Sequence, residues 1–316
     1  MNSEVPLEIR RHKLVAKVRE SYGNQKVLVG LSGGADSIAL LLLSLAAETQ
    51  KSSGCSIIAG HIHHGIRAES DNEQSFVESL CKQFGVGLFT KRISVEPKKG
   101  SLAAGAREAR YHALCKMAVE EGASCVSVAH HADDQLETML MALCRGGGIR
   151  KLAGMSNNRK LSDEISLIRP LLQTNKIDLI SICELASVSW CKDPTNEDVN
   201  TPRGRLRRDV IPVLRELWSS ADKHAANASL ILQAAADVFE AVAPVGNVWK
   251  REELAEFPTP IIAESIHLAV GNRAKNETVN AIAHAVTDGI TDPRIFECSD
   301  ACNVYVTAHT VEVCYT

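Results

Sequence analysis

The chain has 316 residues, of which 45% are hydrophobic and 23% charged, and its formal net charge is −3. That length suits two domains, or one large domain with an appendage, and permits a sizeable core. The slightly acidic balance excludes a whole-protein basic footprint, so any nucleic-acid surface must be local, and aromatics at 4% argue against a base-stacking sheet.

In chain order, residues 7–22 read as an amphipathic helix with Leu7, Ile9, Leu14, Val15 and Val18 apolar. Lys26–Leu31 is a short β-branched run, and a glycine-rich turn leads from it into a helix over Ser37–Ala47 that suits burial on most sides. Strands are expected at Ser56–Ile62, Gly87–Ile93 and Ser124–Ala129, with helices around Glu73–Gln83, 101–121 and Gln135–Cys144. This alternation predicts a doubly wound, mostly parallel sheet covered on both faces, with ligands at the strands' carboxyl ends. Gly146–Arg159 reads as a loop, Lys176–Ser189 as a helix, and Asp193–Arg208 as a polar, basic segment. Ser219 to about Val242 is alanine-rich and helical, 260–290 looks helical, and 294–315 alternates like a small hairpin. The expected organisation is a nucleotide-binding domain over 1–217, a helical linker over 218–243 and a small, mainly helical domain over 244–316.

None of the 10 cysteines stands in a Cys-x-x-Cys pair, which suits a reducing compartment, and Cys298 and Cys302 read as packing residues. Glu8–Lys13 contains no apolar signal core, and the longest apolar run, Ile38–Ala47, is too short to span a bilayer. A cytoplasmic protein without a membrane partner is the expectation.

The strongest local signal is Ser32-Gly33-Gly34-Ala35-Asp36-Ser37 between a strand and a helix. Two glycines let backbone amides approach an anion, and the helix N-terminus adds further N–H groups and its dipole. The Gly-Lys-Ser/Thr ending of a Walker loop is absent, as is the Rossmann spacing. Asp36 would repel phosphate unless a cation intervened, so it is the candidate Mg²⁺ ligand. The alternative is that Asp36 caps a helix beginning at Ser37.

Two further clusters follow strands. His61-Ile62-His63-His64-Gly65-Ile66-Arg67 lacks the cysteine or carboxylate that would complete a zinc set, and suits a polar lining of a nucleotide pocket. In Ala129–Thr138, Asp134 and Glu137 are three apart and share one helix face, which suits a cationic substrate or a metal. An acidic helix start stabilised by its dipole is the alternative. Leu136, Met139, Leu140 and Leu143 should be core.

The Ser-Gly-Gly-x-Asp-Ser string resembles the PP-loop family of ATP pyrophosphatases, which split ATP between its α and β phosphates and leave an adenylated substrate. With His61–Arg67, Arg107–Tyr111, Ala129–Gly148, Gly154-Met155, Arg169–Leu172 and Asp193–Pro212, the first 215 or so residues resemble the bacterial tRNA(Ile)-lysidine synthetases. That resemblance implies a ligase consuming ATP and Mg²⁺, which attaches free L-lysine to carbon 2 of the wobble cytidine in the CAU anticodon of tRNA(Ile) and releases AMP and pyrophosphate. It is compatible with a homodimer. It further implies that Ser32, Gly33, Gly34, Ala35, Asp36, Ser37 and His64 bind ATP, with Asp36 on the metal. His130 and Arg110 would assist adenylation, Asp134 and Glu137 would receive lysine, and Arg203, Arg205 and Arg207 would contact nucleotide or tRNA phosphates. Gly204 stands where the family usually has asparagine, and Gly147 and Arg150-Lys151 depart from the usual glycine-rich run.

Arg203, Arg205, Arg207, Arg208 and Arg215 concentrate positive charge, for which a solvated surface helix is the alternative to phosphate contact. The rival functions are a tRNA 2-thiocytidine sulfurtransferase, which the missing paired cysteines disfavour, an amidotransferase-type synthetase, and a non-catalytic nucleotide-binding module of the same fold.

Overall fold

Lys26–Gly30 (β1), Ser56–His63 (β2), Leu88–Arg92 (β3), Cys125–Ser127 (β4), Asn158–Lys160 (β5) and Ser166–Ile168 (β6) form one sheet in the order β3-β2-β1-β4-β6-β5. The computed structural model describes residues 3–50, 54–63, 69–93, 102–191, 201–299 and 301–315. Every pairing in this sheet is parallel except β5 with β6, so the doubly wound expectation holds, with an antiparallel strand at one edge. The order reverses at β1, which lies between β2 and β4, and the crevice at their carboxyl ends is where such sheets bind ligands.

Side-chain alternation along β1 builds both faces. Val27 and Val29 enter a core with the helices Lys13–Tyr22, Ala35–Glu48 and Lys176–Leu185, while Leu28 points to an opposite core with Tyr111, Leu114 and Met117 of helix Leu102–Glu120. The central helix Ala35–Glu48 is buried along almost its whole length, as its leucine-rich sequence requires. At its midpoint Ser44 meets the buried hydroxyl of Tyr22 at 2.8 Å, and Tyr22 in turn donates to Ser127 of β4 at 2.9 Å.

Several elements differ from the sequence reading. Residues 7–22 form two helices, Leu7–Arg10 and Lys13–Tyr22, because His12 leaves helical geometry and its Nδ1 accepts the Leu14 N–H at 3.3 Å as a cap. The expected loop 146–159 contains the short helix Ile149–Leu152 and runs into β5. Strands β5 and β6 were not anticipated: three residues carry no readable period, and the exposed Asn158-Arg159-Lys160 is a polar edge strand.

Contacts divide the chain into two units, 1–137 with 155–227, and 138–154 with 228–316. The expected boundaries followed chain order, whereas the contacts gather 138–154 with the C-terminal residues. Helix Ala221–Val242, read as the linker, lies across the division. In the second unit, Val248–Lys250 (β7), Arg294–Glu297 (β8), Cys302–Val306 (β9) and Thr310–Tyr315 (β10) form an antiparallel sheet ordered β7-β10-β9-β8, more than the hairpin expected. Helices Thr259–Val270 and Asn276–Thr287 share its core. Arg150 is anchored within this unit by Glu240 and by Glu264 at 2.8 Å, which accounts for one departure from the family's glycine-rich run.

Candidate active site

Strand β1 ends at Gly30, and the next amide, Leu31 N–H, still bonds Gly60 O of β2 at 2.9 Å, so the chain leaves the sheet only at Ser32. Gly33 has φ +86°, the left-handed region that favours glycine, and this turns the chain into helix Ala35–Glu48. The helix starts two residues earlier than expected. Its N-cap is Gly34, which has no side chain to cap with, so Asp36 lies in the first turn and is not the cap. The amides of that turn lack intrahelical partners and face the loop opening. Ser37 Oγ accepts the Ser32 N–H at 3.2 Å and lies 3.1 Å from Ser32 Oγ, which fixes the loop from inside.

Asp36 Oδ1 is buried with no hydrogen-bond partner among the described residues. The other oxygen, Oδ2, lies 3.5 Å from His131 Nε2 and 3.9 Å from Lys176 Nζ. An orphaned carboxylate oxygen in the first turn of the helix that follows a glycine loop fits a magnesium ion shared with phosphate oxygens, since Mg²⁺ commonly takes one carboxylate plus phosphate and water. Among the described residues no set of three or more His, Cys, Asp or Glu could hold a metal without such a ligand.

His130 and His131 follow β4, and their environments oppose one another. Burial alone would lower the His131 pKa, but Asp134, Asp36 and Asp133 outweigh it and raise the imidazole above its ordinary 6.5. Burial pushes His130 far the other way; Asp134 resists, and Arg169, Arg107 and Arg110 reinforce the lowering. His130 Nδ1 accepts from Arg169 Nε at 3.2 Å, which leaves the proton of the neutral ring on Nε2.

Helix Ala132–Cys144 carries Asp134 and Glu137 on one face, as their spacing predicted, and both are buried. Of the apolar positions expected opposite, Leu136 is buried, Met139 and Leu140 are half-buried, and Leu143 is exposed. The two carboxylates are already paired. Arg203 donates to Asp134 at 2.9 Å and to Glu137 at 2.5 Å; Arg207 donates to Asp134 at 2.8 Å and also to Glu137. Burial alone would raise the Asp134 carboxyl, yet His131, His130, Arg203 and Arg207 together hold it far below the usual carboxylate range.

The arginines come from helix Pro202–Arg205, capped by the Thr201 hydroxyl, and from the π-helical turn Leu206–Val210. Arg203 and Arg207 share a face four residues apart and point inward. Arg205 points outward, exposed, 3.7 Å from Asp209. The three arginines expected to act alike thus divide into two roles. Gly204 is buried between the inward pair.

Arg107, Arg159, Arg169 and Tyr111 carry no functional signal in the local sequence pattern. Arg107, Arg110 and Arg159 place their guanidinium carbons 5.6, 5.5 and 5.1 Å from the Tyr111 ring centroid. Arg107–Tyr111 and the Arg169-Pro170 step lie inside the stretches that carried the resemblance, but which side chains converge depends on the fold. His61 is buried with Nδ1 2.8 Å from Leu31 O, at the strand-to-loop junction, and His63 pairs with Asp71 at 3.0 Å. His64 and Arg67 lie outside the described residues, as does 193–200 of the basic segment. All the described cysteines are free thiols, and no helix among the described residues is long and apolar enough to cross a membrane.

Known proteins resemble this chain in sequence and in fold. The chain is 36% identical over 197 residues to a tRNA(Ile)-lysidine synthase of Histophilus somni (strain 2336), covering 62% of this chain and 45% of that protein. To the tRNA(Ile)-lysidine synthase of Pseudomonas aeruginosa it is 35% identical over 242 residues, covering 76% and 53%. The chain thus spans about half the length of the curated relatives it matches. Among solved structures, the U34-tRNA thiolase NcsA of Methanococcus maripaludis superposes with a TM-score of 0.59 at 18% identity, covering 72% of this chain and 81% of that one, a likeness of fold. The family model described as PP-loop domain matches residues 5–214, two-thirds of the chain and all of the site just described, and the chain belongs to that family.

Proposed function

We propose that the chain is an ATP-dependent ligase that adenylates O2 of the wobble cytidine in a CAU-anticodon tRNA(Ile) and then joins free L-lysine to carbon 2. The observation that carries this reading is the orphaned Asp36 oxygen at the head of a glycine-loop helix, beside the His131–Asp134–Glu137 cluster. Support for lysine and tRNA(Ile) comes from the relatives, which are tRNA(Ile)-lysidine synthases.

In this mechanism the amides of Gly33, Gly34 and the first helical turn hold the leaving pyrophosphate. Magnesium, held by Asp36, would neutralise phosphate charge and polarise the phosphorus for attack. O2 of the cytidine attacks the α-phosphorus and pyrophosphate departs. The uncharged side-chain amine of lysine then attacks C2, AMP leaves with the C–O electron pair, and the amine proton passes to water. His130 is held neutral, so it serves as an Nε2–H hydrogen-bond donor and not as an imidazolium acid. Its companion in this role is Arg110, whose permanent charge suits the adenylate.

The ion pairs favour a second role for two residues. Asp134 and Glu137 are the assigned lysine ligands, yet they hold Arg203 and Arg207. A lysine ammonium must therefore share or displace these guanidiniums, or the carboxylates serve to aim the arginines at phosphate. Glu137→Gln separates the two: a raised lysine KM with unchanged RNA affinity supports the first, and weakened RNA binding with unchanged lysine KM the second.

The deciding assay combines purified chain, Mg²⁺-ATP, radiolabelled lysine and a CAU-anticodon tRNA(Ile) transcript. Label in the tRNA with stoichiometric AMP is expected. AMP formed without label would keep the adenylation and overturn lysine as the nucleophile, whereas ATP bound but never cleaved would return the non-catalytic module.

A further inference from the structure

Arg169 is 3% exposed, yet no carboxylate pairs with it among the described residues; its bonds run to His130 Nδ1, to Ser156 O at 2.8 Å and to the Tyr111 hydroxyl. A buried guanidinium normally has an anion beside it, because desolvating an uncompensated charge is costly. Arg107, Arg110 and Arg159 crowd the Tyr111 ring nearby, and none of them pairs with a carboxylate among the described residues either. Cation–π attraction offsets about 0.5–1 kcal/mol each at exposed sites, but it does not remove the mutual repulsion of four cations. The neighbouring groups register this excess charge. Burial alone would raise the Tyr111 phenol, yet Arg107, Arg169 and Arg110 pull it below its ordinary value. In a chain of net charge −3, this is a local positive site with no carboxylate paired to it among the described residues.

Its position separates it from the glycine loop. Helix Ala35–Glu48 covers the face of the sheet reached by Val27 and Val29, whereas helix Leu102–Glu120, which bears Arg107, Arg110 and Tyr111, covers the face reached by Leu28. Arg169 follows β6 at the carboxyl edge, on the far side of β4 from β1. The amides of the loop account for one set of phosphates without using any of these arginines. We propose that Arg107, Arg159 and Arg169, arranged around Tyr111 beside the Arg110 already given to the adenylate, form a second phosphate-binding site distinct from the glycine loop. A phosphodiester of bound RNA or a phosphate of the nucleotide would supply the same chemistry. The identity of that phosphate's owner rests on the proposed function; the site itself does not.

Arg159 is exposed on an edge strand, so Arg159→Gln tests the site with least disturbance of the fold, and Arg107→Gln repeats the test from the helix. Both full-length variants are first matched to the parent by thermal unfolding. Binding of a 17-nucleotide CAU anticodon stem–loop is then measured by filter retention across a sodium chloride series, and binding of ATP and of inorganic pyrophosphate by calorimetry. If the phosphate belongs to RNA, each variant reduces the slope of log K against log salt by about 0.7–0.9, with ATP and pyrophosphate affinity unchanged. If it belongs to the nucleotide, ATP affinity falls while pyrophosphate affinity and the RNA slope hold. Either result supports a second phosphate site. Unchanged slope together with unchanged ATP affinity in both variants overturns it, and so does a fall in pyrophosphate affinity, which would join these arginines to the glycine loop. Because these are binding measurements, loss of the lysine-transfer reading would leave them interpretable.

Discussion

Glu137→Gln, Arg207→Gln and the double exchange form a cycle that weighs the arginine–carboxylate cluster. Glu137 is 1% exposed and accepts from both Arg203 and Arg207, whose side chains are 31% and 33% exposed. Breaking a fully buried pair by removing one partner costs about 3–5 kcal/mol, because the other charge is stranded. Here the stranded groups after Glu137→Gln are guanidiniums that reach solvent and keep Asp134, so part of that penalty is recovered by hydration. We expect about 2–3 kcal/mol for Glu137→Gln. Arg207→Gln leaves Glu137 bonded to Arg203 and should cost about 1–3 kcal/mol. Since both changes remove the same bond, the double variant should fall short of the sum by about 1–2 kcal/mol. Urea unfolding followed by tryptophan fluorescence, with Trp190 and Trp218 reporting on the first unit, supplies the numbers. Costs that add to within about 0.5 kcal/mol would refute the shared network.

Other consequences follow from single contacts. Asp36→Ala should abolish ATP–pyrophosphate exchange while leaving the thermal midpoint nearly unchanged, and retained exchange would remove Asp36 from the metal. Gly33→Ala meets only ordinary contacts at 3.5 Å, so its cost is the left-handed backbone, about 1–2 kcal/mol by denaturation. Gly34→Ala has no such strain and meets only Ser32 Oγ at 3.6 Å; it should keep stability but weaken ATP, and equal ATP affinity would place the phosphates elsewhere. His130 has a folded pKa below its unfolded 6.5, so the unfolded chain binds the extra proton and stability falls as pH drops below about 6.5. His130→Gln should lessen that acid loss, measured as unfolding free energy between pH 7 and 5. Asp134 has the opposite sign of charge: its depressed pKa stabilises the fold at all pH above the ordinary 3.8 and loses that contribution only below it. Asp134→Asn should flatten the stability curve in that acid range and, by withdrawing the charge that raises His131, also shift the pH dependence near 6.5.

Local patterns in the chain were sufficient for the α/β class, the parallel core strands, the glycine loop and the shared face of Asp134 and Glu137. These features depend on periods of two or 3.6 residues and on glycine's backbone freedom, which act within a few neighbours. The three-residue strands β5 and β6 were too short to carry a period, and the break at His12 turned on one side-chain cap. Only the tertiary structure decided that Arg203 and Arg207 spend their charge on Asp134 and Glu137, 66 to 73 residues away, while Arg205 between them faces water. The same holds for the arginines that gather on Tyr111 from a helix and an edge strand, and for 138–154 joining the C-terminal residues. A run of arginines states how much charge is present. Where that charge is neutralised depends on which faces the folded sheet brings together, because ion pairing acts over ångströms in space and is blind to distance along the chain.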